Sequence, residues 1–393
     1  MKAAASLLRT LVAALLFVPV FAGPAAASGV RTESELARVF EALDANKLEL
    51  AMQRVEALIA ANPNFRLAHL IRGDLLMART RPLATFGNAK HLPRERVEEL
   101  RAEALARITA WRDRPGSRVP RYVLQFSSQQ KQALVVDSRR SRLYVYENLN
   151  GRARYVTDYY VTLGKNGIEK AREGDQKTPV GVYHVTSSLP RQKLTDFYGS
   201  GAFPINYPND WDRRQGRNGH GIWLHGTPSN TYSRPPRASD GCIVLNNADL
   251  DLLGQNLQIG LTPVIITEKI EWVDAGAQEA ERAALARALE AWRADWESLD
   301  TGRYLKHYAA KFESGGQALA GWSAHKQKVN AGKTWVKVGL SQVSMFRYPG
   351  EGDFVVVSFV QDYRSSNLSN MMKKRQYWIK DGAQWKILHE GAA

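Results

Sequence analysis

Cysteine is almost absent from this sequence: Cys242 is the only one in 393 residues. One thiol can form no intramolecular disulfide, and no site of clustered Cys ligands can be built from it. Acidic residues are also in deficit, with 39 Asp and Glu against 54 Lys and Arg, a formal charge of +15. That excess points to an anionic partner, whether nucleic acid, a membrane surface or a carboxylate-rich polymer. Disorder is excluded by composition, since 44% of residues are hydrophobic and 9% aromatic. The length suggests two or three domains, each with its own core.

The longest apolar run, Leu11 to Phe21, falls short of the ~20 residues a spanning helix needs, and Gly23-Pro24 breaks the chain just beyond it. Lys2 and Arg9 bracket the basic start, and Ala25 to Ala27 offers an A-x-A site before Ser28. These are the parts of a secretory signal peptide over residues 1–27, with an uncleaved anchor as the alternative. No Cys stands at the cleavage point, so a lipoprotein is excluded. Export to the periplasm or cell envelope makes an envelope polymer the expected partner and nucleic acid not. It also gives the lone Cys a meaning, because an unpaired thiol is a liability in an oxidising compartment unless it reacts usefully.

Residues 32–113 carry helical periodicity, seen in Leu36, Val39, Phe40 and Leu43 and again in Met52, Val55, Leu58 and Ile59. Asn62-Pro63 followed by Ala68, Gly73 and Ala78 resembles the junction of two tetratricopeptide repeats. Little more than one repeat is covered, so a small domain that docks on its neighbour, or forms a homodimer through a second copy, is expected rather than a solenoid. Residues 120–269 switch to period two, with strand-like runs at Ala133–Asp137, Arg142–Tyr146, Tyr155–Leu163, Gly181–Thr186, Gly221–Leu224 and Pro263–Thr267. A Gly/Pro/Asn-rich insertion from Ser187 to Gly219 is long enough to be a lid or substrate wall. Residues 280–391 return to a helix with Leu285, Leu289, Trp292 and Trp296 on one face, then alternate as antiparallel strands. This order, with Phe359–Tyr363 and Trp385–Leu388, resembles the cone-shaped nuclear-transport-factor-like α+β fold. The chain is therefore expected to be multidomain: an α-helical, tetratricopeptide-like segment, a central mainly-β domain, and that cone.

Cys242 lies in Ser239-Asp240-Gly241-Cys242-Ile243-Val244-Leu245-Asn246, and His225 precedes it in Leu224-His225-Gly226-Thr227. A thiol needs a base or a positive field to become a nucleophile, and imidazole is the usual provider. Amides at 241 and 242 could approach an oxyanion. The alternative is a buried small hydrophobe beside a core histidine.

The surrounding residues resemble the L,D-transpeptidase catalytic domain, the YkuD family, whose signature is His-Gly, a spacer, then [Ser/Thr]-His-Gly-Cys and a nearby Asn. His225-Gly226, Ser239, Gly241, Cys242 and Asn246 match, as does Thr178-Pro179-Val180-Gly181-Val182-Tyr183 for the family's Thr-Pro-x-Gly-x-aromatic segment. The resemblance implies Cys242 as nucleophile, His225 as base, the Gly226 carbonyl as orienter of the imidazole, and the amides of Gly241 and Cys242 as the oxyanion hole. Two departures stand out, Asp240 for the usual His and Val244 for a frequent Arg. Asp240 opposes thiolate formation unless a cation such as His225 or Arg237 pairs with it. His220 is a second candidate base. Arg234 and Arg237 could hold a substrate carboxylate, with Ser239, Asp240 and Asn246 near it, while Tyr207 and Trp211 could line the groove or pin the insertion.

The remaining histidines show no metal spacing, and neither metal nor cofactor is implied. The implied substrate is a peptidoglycan stem tetrapeptide, cleaved between residue 3 and D-Ala4 through a thioester. An amine acceptor makes the protein a transpeptidase and water makes it an L,D-carboxypeptidase. The three-part layout resembles the L,D-carboxypeptidases that help set helical cell shape. A catalytically inactive peptidoglycan-binding scaffold, engaging envelope proteins through its flanking domains, is the reading from another class. A chain ending near Lys269 is expected to keep cleavage of soluble muropeptide.

Overall fold

The structure is a computed structural model that describes residues 26–83, 85–89, 91–113, 116–350 and 352–393. The expected signal peptide lies almost wholly outside the described residues. Among those described, no helix is long and apolar enough to cross a membrane.

Four helices open the chain: α1 (Ala26–Asp44), α2 (Leu48–Ala61), α3 (Arg66–Ala78) and α4 (Arg94–Arg112). Their apolar faces meet in one core containing Val39, Val55, Phe65, Leu67 and Ile71. Tyr232, which belongs to the β-rich region, packs into that core, its ring centroid 4.4 Å from that of Phe65. The helices therefore dock on the neighbouring domain. Nothing in their packing is specific to tetratricopeptide repeats.

The middle of the chain forms a five-stranded sheet in the order Arg152–Tyr160, Arg142–Leu149, Gln132–Asp137, Pro263–Thr267, Gly181–His184. A four-stranded sheet faces it, in the order Ile243–Val244, Trp223–His225, Gly201–Pro204, Leu189–Pro190. The two enclose a core of Leu134, Val136, Val161, Leu224, Ile243 and Ile266. In the second sheet Trp223–His225 and Ile243–Val244 run parallel, with Leu224 opposite Ile243 and His225 opposite Val244.

At the C-terminal end the Ala275–Glu297 helix turns Leu285, Leu289, Trp292 and Trp296 onto a seven-stranded sheet. Two features depart from the sequence pattern. Tyr308–Ser314 is a strand between the two shorter helices, and the sheet's last strand is Val123–Gln125, which comes from before the β-rich core and pairs with Val336–Arg347. The C-terminal cone and the central region thus share one sheet.

Candidate active site

The site is built on the parallel pair. Side chains alternate faces along a strand, and Leu224, Ile243 and Leu245 point into the core. His225 and Val244 consequently face the other way. Cys242, one residue before Ile243 and in line with Trp223, shares that face. This register places the thiol and the imidazole diagonally across two adjacent strands.

His225 is almost wholly buried, and its Nδ1 lies 2.7 Å from the Gly226 carbonyl oxygen. A carbonyl only accepts, so Nδ1 carries the proton and Nε2 keeps its lone pair. Burial, aided by the charge of Arg234, brings the imidazole down to about 4, against the partial opposition of the Gly226 bond. Tyr198 and Phe197 wall the ring at 5.2 and 5.8 Å between centroids, and Tyr198 packs at a tilt against Trp223 at 4.9 Å. The insertion does line the site, but through its Asp196–Tyr198 turn.

Cys242 is partly exposed, and its thiol donates to the Gly221 carbonyl at 3.3 Å. Burial pushes the thiol up to about 11, and Asp240 pushes the same way; the Trp223 N–H and the charges of Arg234 and Lys170 oppose them. Lys170 is itself buried on Asp175, 2.7 Å away. Nucleophile and base are thus both neutral at rest, and the thiol proton rests on Gly221.

The turn before Cys242 is held from beneath. Thr178, fully buried, donates its hydroxyl to the Gly241 carbonyl at 3.0 Å and accepts from the Gly164 N–H at 2.9 Å. Gly241 has φ +123°, and a Cβ there would stand 2.7 Å from the Lys177 carbonyl oxygen, so the position requires glycine. Gly226 is required for another reason: a Cβ would meet Asn247 Oδ1 at 2.0 Å. Asn247 ties the His-Gly turn to the insertion by donating to Thr227 O at 2.8 Å and accepting from Ser200 N at 2.9 Å.

The other expected residues divide. Arg234 reaches the site, its guanidinium 4.8 Å from the Phe197 ring centroid. Ser239 is buried and donates to the Cys242 carbonyl at 2.7 Å while accepting from the Gly241 N–H at 3.2 Å. At rest, then, one of the two expected oxyanion amides is already engaged. Asp240 pairs at the surface with Lys165, 3.1 Å away, instead of with His225 or Arg237. Arg237 is exposed on the Arg237–Ser239 strand. His220 is exposed and faces Glu173 at 3.5 Å.

Three of these side chains are taken up by packing, and for Tyr207 and Trp211 it is the pinning alternative that the contacts fit. Tyr207 is buried, with its hydroxyl on the carbonyls of Asn218 and Lys170, so it belongs to the core and lines no groove. Trp211 leaves the site, stacks on Tyr377 and packs at a tilt against Phe354 of the C-terminal cone. Asn246 spends its side chain capping the Asn247–Gly254 helix, accepting from Asp249 N. Sequence reasoning passed over Phe197, Tyr198, Lys170 and Asn247. An aromatic pair followed by glycine, and an Asn directly after Asn246, were the signals available.

The family model of the L,D-transpeptidase catalytic domain, YkuD, matches residues 131–266, and that of the Cds6 C-terminal NTF2-like domain matches residues 284–391. The structure of Bd1075 from Bdellovibrio bacteriovorus is 30% identical over 70% of this chain and 98% of its own, with a TM-score of 0.61. The helical cell shape determining protein Pgp2 from Campylobacter jejuni is 27% identical over 69% of this chain and 95% of its own, with a TM-score of 0.59. A point mutant of Pgp2 is 25% identical over 76% of this chain and 100% of its own, with a TM-score of 0.60. No curated protein sequence matches the chain significantly. The chain belongs to the L,D-transpeptidase (YkuD) family, in the branch that carries a C-terminal NTF2-like domain. That family modifies peptidoglycan peptides.

Proposed function

We propose that the protein is an exported cysteine acyltransferase of the periplasm that cleaves peptidoglycan stem tetrapeptides between residue 3 and D-Ala4. The observation that carries this reading is the shared face of Cys242 and His225 on adjacent parallel strands, with Nδ1 fixed by Gly226. His225 Nε2 takes the thiol proton as Sγ attacks the carbonyl carbon of residue 3. The amide bond to D-Ala4 then breaks, its nitrogen receives that proton, and a thioester remains on Cys242. The Cys242 and Gly241 amides serve the oxyanion, the latter on release from Ser239. An amine or water next attacks the thioester, gives its proton to His225, and restores the thiol.

An amine acceptor gives transpeptidation, which we take as the leading outcome. Hydrolysis is the second reading, supported by the match along almost the full length of the helical cell shape determining protein Pgp2. On either outcome the flanking domains serve binding to the wall or to an envelope partner. Incubation of residues 28–393 with disaccharide tetrapeptide, followed by mass analysis, decides between them. Crosslinked dimer means transfer, tripeptide alone means hydrolysis, and unchanged substrate with bound muropeptide means an inactive scaffold.

A further inference from the structure

The loop between His225 and Cys242 is anchored on the helical domain. Tyr232 inserts beside Phe65 in the core of the four helices. Ser233 donates its hydroxyl to Glu103 Oε1 on α4 at 2.7 Å. Glu103 is buried against Arg107, which is itself buried, pairs also with Glu33, and lies 4.0 Å over the Tyr160 ring. The Tyr160 hydroxyl in turn donates to the Arg234 carbonyl at 2.9 Å, and Thr162 donates to the same oxygen at 3.1 Å.

What this anchorage presents is the Arg234 side chain. It is half-buried, rests on Phe197, and exerts its charge on both Cys242 and His225. Among the described residues its guanidinium has no hydrogen-bonding or ion-pairing partner. A desolvated, unpaired guanidinium beside a nucleophile is suited to receive a carboxylate in bidentate fashion. Partly burying a cation without a partner costs stability, and the contacts between the loop and the helical domain offset that cost.

We propose that Glu103 and Ser233 are positioning residues of the active site: through them the helical domain holds Arg234 beside Cys242 as the receptor for a carboxylate of the peptide substrate. The proposal rests on the reading of Cys242 as a reactive thiol. The helical domain is on this account a working part of the site, although it supplies no group to the chemistry.

Alkylation of the full-length mature protein separates the possibilities, because iodoacetate is anionic and iodoacetamide is neutral. The ratio of their rates at Cys242, at low ionic strength, reports the cation beside the sulfur. Arg234→Gln is expected to lower that ratio roughly fivefold, the size of one charge contact at about 4 Å screened as strongly as in water. Ser233→Ala and Glu103→Gln are expected to lower it toward the same level while leaving the iodoacetamide rate unchanged and raising KM for tetrapeptide more than they lower kcat. Ser233 is a partly exposed loop residue, so its variant carries the test alone if Glu103→Gln fails to fold. An unchanged ratio in Ser233→Ala beside a lowered one in Arg234→Gln overturns the positioning role. An unchanged ratio in Arg234→Gln overturns the carboxylate receptor. A wild-type thiol that neither reagent modifies overturns the underlying reading of Cys242 instead.

Discussion

The Nδ1 of His225 and the carbonyl oxygen of Gly226 lie 2.7 Å apart, and this contact fixes which imidazole nitrogen can accept a proton. Replacing His225 with Ala is expected to lower the rate of thioester formation by roughly 10²–10⁴-fold at neutral pH, the usual span for a lost general base. The wild-type acid limb should lie well below the ordinary histidine value of 6.5, because burial holds this imidazole near 4. Rate should hold from pH 7 to about 5 and fall as His225 gains its proton. A limb centred near 6.5 in the pH profile of kcat/KM would show that another group is titrating.

Cys242→Ala should abolish turnover and leave the thermal midpoint nearly unchanged. The residue is partly exposed, and its sulfur donates to the Gly221 carbonyl. Little cavity is opened, so the loss in stability should stay near the low end of buried truncations. Retained activity in the purified variant would end the assignment of Cys242 as nucleophile.

The chemistry of the site was more legible in the sequence than its walls. Cys242 stood out because it has no competitor, and the glycines at 226 and 241 are required for steric reasons now visible in the closeness of Asn247 and Lys177. Period-two runs marked most strands, since Leu134, Val136 and Ile266 must alternate into one core. Tyr207 and Trp211 stayed open between groove and pin because an aromatic in a long insertion reads the same whether it faces solvent, core or another domain. Here tertiary packing decided: Trp211 found Phe354 and Tyr377, which lie over 140 residues away in sequence. The strand Val123–Gln125 was hidden for a similar reason, because three residues carry too little pattern to name their partner.

Thr178→Val should harm both the fold and the reaction. The substitution keeps the volume but removes the hydroxyl that joins Gly164 N to Gly241 O, leaving two buried backbone groups unpaired. Each such loss costs about 1–3 kcal/mol. A fall in the urea midpoint is therefore expected together with a fall in kcat, since Gly241 leads into Cys242. Thr178→Ser should recover most of both; a Ser variant as impaired as Val would point to the methyl group.

Asp249 should make the fold less stable as pH rises from about 4 toward 7. Burial, reinforced by Glu33, raises its carboxyl to about 7 from an ordinary 3.8, and its Oδ1 has no hydrogen-bond partner among the described residues. The folded state thus holds this proton more tightly than the unfolded chain does. Its contribution to stability is full below about pH 4 and declines as pH rises through the interval up to about 7. Asp249→Asn removes that titration while keeping an oxygen for Asn246, so its urea midpoint should gain on the wild type between pH 5 and pH 8. Parallel curves for the two proteins would show that Asp249 is not the group responsible.

Removing the C-terminal cone at Lys269 should compromise the central domain, contrary to what sequence alone suggests. Val123 and Gln125 pair with Phe346 and Met345 in the cone's sheet, and the Arg347 N–H donates to the Tyr122 carbonyl at 2.9 Å. Tyr122, Val123 and Phe126 share a core with Phe346, and Leu124 enters the cone's own core. On the other flank Trp211 stacks on the cone, Asn209 donates to the Tyr348 hydroxyl at 3.2 Å, and Arg375 pairs with Asp210 at 3.1 Å. Exposing three or four large apolar side chains at about 1.5–3 kcal/mol each forfeits an amount comparable to the whole stability of an ordinary domain, about 5–15 kcal/mol. Residues 28–269 are accordingly expected to aggregate, or to melt far below the full mature chain, and to lose soluble-muropeptide cleavage as a result. A monomeric 28–269 fragment with an unshifted melting midpoint and full cleavage would show that the shared sheet contributes little to the catalytic fold.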